Sequence, residues 1–295
     1  MKSDIYPFPL CIQLAAPPAL DAPEFLAVLA QLEEAGFFGI ELNMPEFSDC
    51  YADRLGELLD RHGLRLTMIA SGAYANRHGL SISSPDEDIR KKSVAALEKM
   101  LDCAAKFGAG VICGFIKGGP SGVKEEAAQR LRTSLEELDR AGRTAAAPLY
   151  LEATNHYEAL SVNTLAEGEA LTRGLAHPVY VLPDTYHMNI EEASMAGALA
   201  QFFPHFHNLH ISDNNRHFPG IGRIDFAELF RLLLGLGYGG TVTIEGNVYR
   251  SLAEDIAFSS RYLAGIRAQL DYTGLARRPP VHVWPGVPTA GSRMA

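Results

Sequence analysis

The sequence predicts an α/β fold, a single (β/α)8 barrel of the TIM type, and three observations predict it. Short apolar runs alternate with amphipathic stretches about eight times along the 295 residues. No change of composition marks a domain boundary, and each unit is close to the ~30 residues of one βαβ step. Eight such units in so short a chain favour a closed barrel over an open sheet.

The first apolar run covers residues 9–14. Residues 22–35 then carry Phe25, Leu26, Leu29 and Leu32 at helical spacing until Gly36 stops the pattern. Residues 37–42 predict the second strand and 51–62, ended by Gly63, the second helix; 65–70 is the third strand. A polar loop through Tyr74, Asn76 and His78 is expected next. Ser84-Pro85-Asp86 reads as a helix start, because the fixed φ of proline suits a first turn, so a long helix is expected over residues 86–107. Residues 110–114 form a compact fourth strand. The following Gly118-Gly-Pro-Ser-Gly122 loop lacks the Lys-Ser or Lys-Thr ending of a phosphate-binding P-loop, and a helix over 124–146 follows it. Runs ending at Glu152, Pro183, His210 and Glu245 supply strands five to eight, with helical patterns near 164–174, 191–203 and 225–236 between them. A last helix spans about 251–270. Residues 1–275 are assigned to the barrel, and 276–295, rich in Pro and Gly and holding the only tryptophan, Trp284, to an extended tail.

With 47% hydrophobic and 21% charged residues the chain has the composition of a globular protein with a substantial core. Its net charge of -9 supplies no basic field, so nucleic acid and anionic membrane are not expected partners. Cys11, Cys50, Cys103 and Cys113 form no Cys-x-x-Cys pair and read as reduced, apolar residues. No apolar run approaches the ~20 residues of a membrane span. Asp4 and Pro7 break the start too early for a signal peptide, so a cytoplasmic location is expected.

Four consecutive strand-like runs each deliver a potential metal ligand at or just after their end: Glu152, Asp184, His210 and Glu245. Singly, each has a plainer use. The two glutamates can be salt-bridged, Asp184 can cap a helix, and His210 can pack in a core. The steps between them, however, are 32, 26 and 35 residues, so they occupy equivalent places in successive units. In a barrel those places converge on one mouth, where three carboxylates repel unless a cation holds them. One divalent metal is expected, and a mostly oxygen donor set favours Mn²⁺, Co²⁺ or Mg²⁺.

The segments Leu151-Glu152-Ala-Thr-Asn155, Asp184-Thr-Tyr-His-Met-Asn-Ile-Glu191, His210-Ile-Ser-Asp-Asn-Asn-Arg216, Pro219-Gly-Ile-Gly222 and Ile244-Glu245-Gly are similar to the sugar isomerase/epimerase family of xylose-isomerase-like TIM barrels. Within it they most resemble ketose 3-epimerases of the tagatose/psicose type. The resemblance implies a metal held by Glu152, Asp184, His210 and Glu245, with Glu152 and Glu245 also moving protons. It implies that Glu158, His187 and Arg216 hold the oxygens of a small sugar, and that the chain is a homodimer or homotetramer. The implied activity is epimerisation at C3, next to the carbonyl of a ketose or keto-sugar acid, through an enediolate. An aldose-ketose isomerase of the hydroxypyruvate-isomerase kind, or an enolate-forming lyase, uses the same metal and first proton abstraction. The related endonuclease barrels need several zinc ions and a basic face, which the charge and the early histidines do not supply.

In the first half, Ser71, Tyr74 and Asn76, with Gly114 and Lys117, are where substrate length and any phosphate are expected to be read. Gly114 departs from the bulkier residue the family tends to carry there. Lys117 is expected first as a solvated lysine and second as the receiver of an acid or phosphate group.

Overall fold

Eight parallel strands, each followed by at least one helix, make up the computed structural model, which describes residues 5–46, 49–203 and 205–272. In chain order they are β1 (Leu10–Ala15), α1 (Pro23–Ala35), β2 (Gly39–Asn43), α2 (Asp49–Arg61), β3 (Arg65–Ala70), α3 (Gly72–His78), α4 (Glu87–Phe107), β4 (Gly110–Cys113), α5 (Lys124–Arg140), α6 (Arg143–Ala146), β5 (Leu149–Glu152), α7 (Leu165–Thr172), β6 (Val179–Leu182), α8 (Thr185–Glu191), α9 (Met195–Phe202), β7 (Asn208–Ile211), α10 (Phe226–Leu236), β8 (Thr241–Ile244) and α11 (Leu252–Tyr272). Every residue of β4, β5, β7 and β8 is buried. Such strands need cover on both faces, and parallel strands joined by outer helices provide it.

The hydrogen-bonded order is β6-β5-β4-β3-β2-β1-β8-β7, so the seam of the nearly closed barrel falls between β6 and β7. Across it the Val181 N–H donates to the His205 carbonyl at 3.2 Å and the His210 N–H to the Pro183 carbonyl at 2.9 Å. The Thr185 hydroxyl donates to the Ser212 carbonyl at 2.6 Å and accepts from the Ser212 N–H at 3.0 Å. One large apolar core lies between strands and helices. A small one, Met68, Ala70, Ile112, Tyr150 and Leu182, lies apart from it. Side chains alternate along a strand, so Tyr150 and Leu182 face the same way as Glu152 and Asp184 two residues on. Gly110 makes room for the Tyr150 ring, since a Cβ there would stand 2.5 Å from Tyr150 Cε2.

The helix ends follow ordinary capping chemistry. Asp86 accepts from the N–H groups of Asp88 and Ile89 at the start of α4, and Gly108 closes it with φ 63°. Three expectations are corrected. The residues expected as a polar loop through Tyr74 and His78 form α3, a short helix that ends at Gly79. The helix expected over 124–146 stops at Arg140, because Gly142 turns into the left-handed region at φ 68° before α6 begins. The residues after Asp184 form a helix of their own, α8, before α9.

Cys11, Cys103 and Cys113 are free thiols. Among the described residues no helix is long and apolar enough to cross a membrane. The tail assigned to 276–295, with Trp284, lies outside the described residues.

Candidate metal centre and substrate pocket

Glu152 is the last residue of β5, His210 the third of β7, and Asp184 and Glu245 follow β6 and β8 by two residues and one. All four side chains turn to the same mouth. Glu152, Asp184, His210 and Glu245 each offer one donor atom, and these atoms lie within 4.8 Å of one another. His210 Nδ1 stands at the centre, 2.7 Å from Glu245 Oε2, 3.7 Å from Glu152 Oε1 and 3.9 Å from Asp184 Oδ2. Glu152 and Glu245 reach it from either side of the β6–β7 pair. Asp184 serves twice. Its Oδ1 caps α8 by accepting from the N–H groups of Tyr186 and His187, which leaves Oδ2 for the mouth.

A fifth residue, Glu41 of β2, orients the imidazole. It is fully buried in the barrel. Its Oε2 lies 3.0 Å from His210 Nε2. Its Oε1 accepts from Asn208 Nδ2 at 2.8 Å and from the Thr243 hydroxyl at 2.7 Å. A carboxylate only accepts, so His210 carries a proton on Nε2 and presents Nδ1 to the mouth. There Nδ1 faces a second carboxylate, Glu245, and its lone pair would be repelled unless a cation stood between them. Burial opposes a charge on His210, yet Glu41 and Glu245 raise its pKa well above the ordinary imidazole value. The same arrangement suits a divalent metal, which would take the place of the Nδ1 proton, with an outer carboxylate fixing the ring as such sites commonly do. The donor set therefore fits the expected ion. No spacing in the sequence singles out Glu41. The available signal was an acidic residue flanked by Ile40 and Leu42 within an apolar strand.

The residues expected to hold the sugar lie around this cluster. His187, 1% exposed, accepts on Nδ1 from the Asn155 N–H at 3.2 Å and from Asn155 Nδ2 at 2.8 Å. Its Nε2 consequently bears the proton and lies 3.9 Å from Glu152 Oε1. Glu158 is exposed at the rim, tied through Oε1 to Asn155 Nδ2 at 3.0 Å. Arg216 reaches Asp184 Oδ2 at 2.7 Å and Glu245 Oε2 at 3.2 Å, and stacks over Tyr186 at 5.0 Å. Burial alone would raise the Glu245 pKa, but the Arg216 guanidinium and the His210 imidazole hold it well below the ordinary carboxylate range.

Arg216 pays for its position with a φ of 63°, uncommon outside glycine. Asp213, fully buried, makes that backbone tolerable by accepting from the N–H groups of Asn214, Gly220, Gly222 and Ile224 at 2.8–3.1 Å. Replacing it by alanine leaves several N–H groups without their acceptor, each costing about 1–3 kcal/mol if it stays dry. Asp213→Ala is therefore expected to lower the melting temperature. It should also cut kcat/KM by about 100-fold through a displaced guanidinium; full activity with an unchanged melt would contradict this.

The pocket above the cluster has a volume of about 120 Å³ and is bounded on the β5–β8 side by Glu152, Glu158, His187, Arg216 and Glu245. Its other side is formed by residues after β3 and β4, including Ser71, Gly114 and Lys117. A larger cavity of about 520 Å³, lined along α2, by the start of β3 and by the end of α4, contains none of the candidate residues. Two expectations for the small pocket change. Lys117 is not solvated but 1% exposed. The room left by Gly114 is filled by Glu152, whose Oε2 would lie 2.2 Å from a Cβ at that position.

A family model described as Xylose isomerase-like TIM barrel matches residues 29–266. The chain is 31% identical over 209 residues to D-psicose 3-epimerase of Ruminiclostridium cellulolyticum, covering 68% of this chain and 70% of that enzyme. Over 130 residues, 43% of this chain and 48% of the relative, it is 38% identical to 3-dehydro-D-guloside 4-epimerase of Escherichia coli. The crystal structure of D-psicose 3-epimerase with D-tagatose from Clostridium cellulolyticum superposes with a TM-score of 0.70 at 25% identity, covering 92% of this chain and all of that one.

Proposed function

The chain belongs to the xylose isomerase-like TIM-barrel family, and from that premise we propose that it is an epimerase inverting the carbon next to the carbonyl of a ketose or keto-sugar acid. The observation that carries this reading is the convergence of three carboxylates and one imidazole within 4.8 Å, beside His187 and Arg216. A divalent cation in that cluster, with Mn²⁺ the best suited and Co²⁺ or Mg²⁺ workable, would polarise the substrate oxygens and make the adjacent proton more acidic. Glu152 and Glu245 are the two bases. One removes the proton from one face of the carbon, and the other returns a proton to the opposite face. His187 donates through Nε2–H to a substrate oxygen. Arg216 holds a second oxygen and the negative charge that builds on it, and Glu158 accepts from a hydroxyl at the rim. The enzyme works in the cytoplasm as a homodimer or homotetramer.

Incubation of the manganese-loaded protein with a ketose panel in deuterated water tests the reading. Deuterium is expected at C3 with the product still a ketose, and chelation is expected to stop the exchange until Mn²⁺ is returned. Label at C1 or C2 with an aldehyde product would replace the epimerase by an aldose-ketose isomerase.

A further inference from the structure

Lys117 is the one lysine buried among the described residues, and its place is built. It ends a 3-10 turn, Phe115–Lys117, that follows β4. The Lys117 N–H donates to the Gly114 carbonyl at 3.1 Å, the Ile82 N–H to the Ile116 carbonyl at 2.9 Å, and Ser83 Oγ to the Lys117 carbonyl at 2.6 Å. Gly118, at φ 123°, completes the clamp, since a Cβ there would meet Ser83 Oγ at 2.3 Å. The ammonium has three donors. One is bonded to Thr154 Oγ1, and among the described residues no carboxylate lies within 4.0 Å of it.

The remainder of the pocket sharpens the anomaly. Glu152, Glu158 and Glu245 all line it, so a lysine present only to balance charge would pair with one of them. Lys117 instead bonds to a hydroxyl and keeps two N–H groups unassigned, a costly state for a buried cation. Beside it, Ser71 follows β3, the strand next to β4. Its hydroxyl is buried with no hydrogen-bond partner, although a serine at that N-cap position would ordinarily cap α3. Ser71, Lys117 and Thr154 thus bring polar groups from three adjacent strands to the pocket that holds Glu152 and His187.

We infer that Lys117, with Thr154 and Ser71, anchors an anionic group, a carboxylate or a phosphate, on the substrate. The substrate class is then a charged keto sugar and not a neutral free hexulose. This inference rests on the epimerase reading for the nature of the rest of the molecule. Burial pushes the Lys117 pKa below the ordinary lysine value, with Glu152 opposing; an anion bound at the ammonium would support its charge.

The test is calorimetric titration of the metal-loaded protein with a hexitol, a hexitol 6-phosphate and a hexonate, none of which can react. One of the two anions is expected to bind at least about tenfold more tightly than the hexitol, and Lys117→Met to remove most of that preference. A hexonate carboxylate can also reach the metal directly, so the part of the preference lost in Lys117→Met is the part that counts. A gain with the phosphate alone identifies a phosphorylated ketose, and a gain with the hexonate alone a keto-sugar acid. Equal affinity for all three ligands, or a preference untouched by Lys117→Met, overturns the anchor. Ser71→Ala provides a second variant and is expected to weaken the same preference while melting like the wild type. Deuterium uptake by a neutral ketose without any anion preference would sink the anchor alone. Anion preference without uptake by any substrate would sink the epimerase reading alone.

Discussion

Glu152→Gln and Glu245→Gln are each expected to lower the rate of inversion by about 10²–10⁴-fold, the usual contribution of a positioned acid or base. The reason lies in their positions on either side of His210, at 3.7 and 2.7 Å. In the proposed two-base mechanism each would serve one face of the substrate carbon. The sharper expectation concerns exchange. With one base removed, the other still abstracts a proton from its own face and can return a solvent-derived one there. Substrate recovered from the slow variant should therefore gain deuterium without inverting, for one epimer in Glu152→Gln and for its partner in Glu245→Gln. Because glutamine keeps a carbonyl oxygen, bound metal must be measured alongside, so that a loss of rate is not a loss of ion. Inversion at the wild-type rate in both variants, with metal bound, would end the two-base mechanism.

Glu41→Leu is expected to cost both stability and metal affinity. Removing one partner of a buried ion pair costs about 3–5 kcal/mol, because the other is left uncompensated, and His210 is fully buried. Asn208 and Thr243 lose an acceptor in the same substitution. Metal affinity is expected to fall about 10–100-fold, as it does when an outer carboxylate is taken from a ligating histidine. Glu41→Gln should recover part of both losses, since its amide oxygen can still accept from Nε2–H. A denaturant titration and a manganese titration measure the two effects. A variant that melts normally and binds metal normally would show that the His210 ring is held by other contacts.

The strand rhythm was readable because each barrel strand is a short apolar run closed by a glycine or a polar turn, and all eight occur where those runs stand. Glu152, Asp184, His210 and Glu245 were readable because barrel closure converts spacing along the chain into proximity at one mouth. Glu41 followed no such rule. It comes from the other half of the chain and meets His210 only because β2 and β7 face the same interior, a relation no local pattern records. Lys117 departs from its expectation for a related reason: a lysine after a strand is ordinarily solvated, and the turn held by Ser83 and Gly118, which buries this one, leaves no local pattern. The helix of Tyr74 and His78 is not legible because its seven residues carry only one large side chain that packs on the core, Tyr74, and so show no apolar stripe. The Arg216 backbone is hidden as well, since no glycine marks its left-handed turn, which lies in a loop whose N–H groups converge on the Asp213 carboxylate.

The barrel's last joint is also where the ion would sit. Asp184 belongs to one lip of the β6–β7 seam and His210 to the other, and the backbone bonds between the lips are few. A cation gripping both residues would act as a clasp, adding a tie between side chains to the few hydrogen bonds that already hold the seam. Loss of the ion would then be felt first as breathing along one line of the wall, with the other seven strand pairings intact.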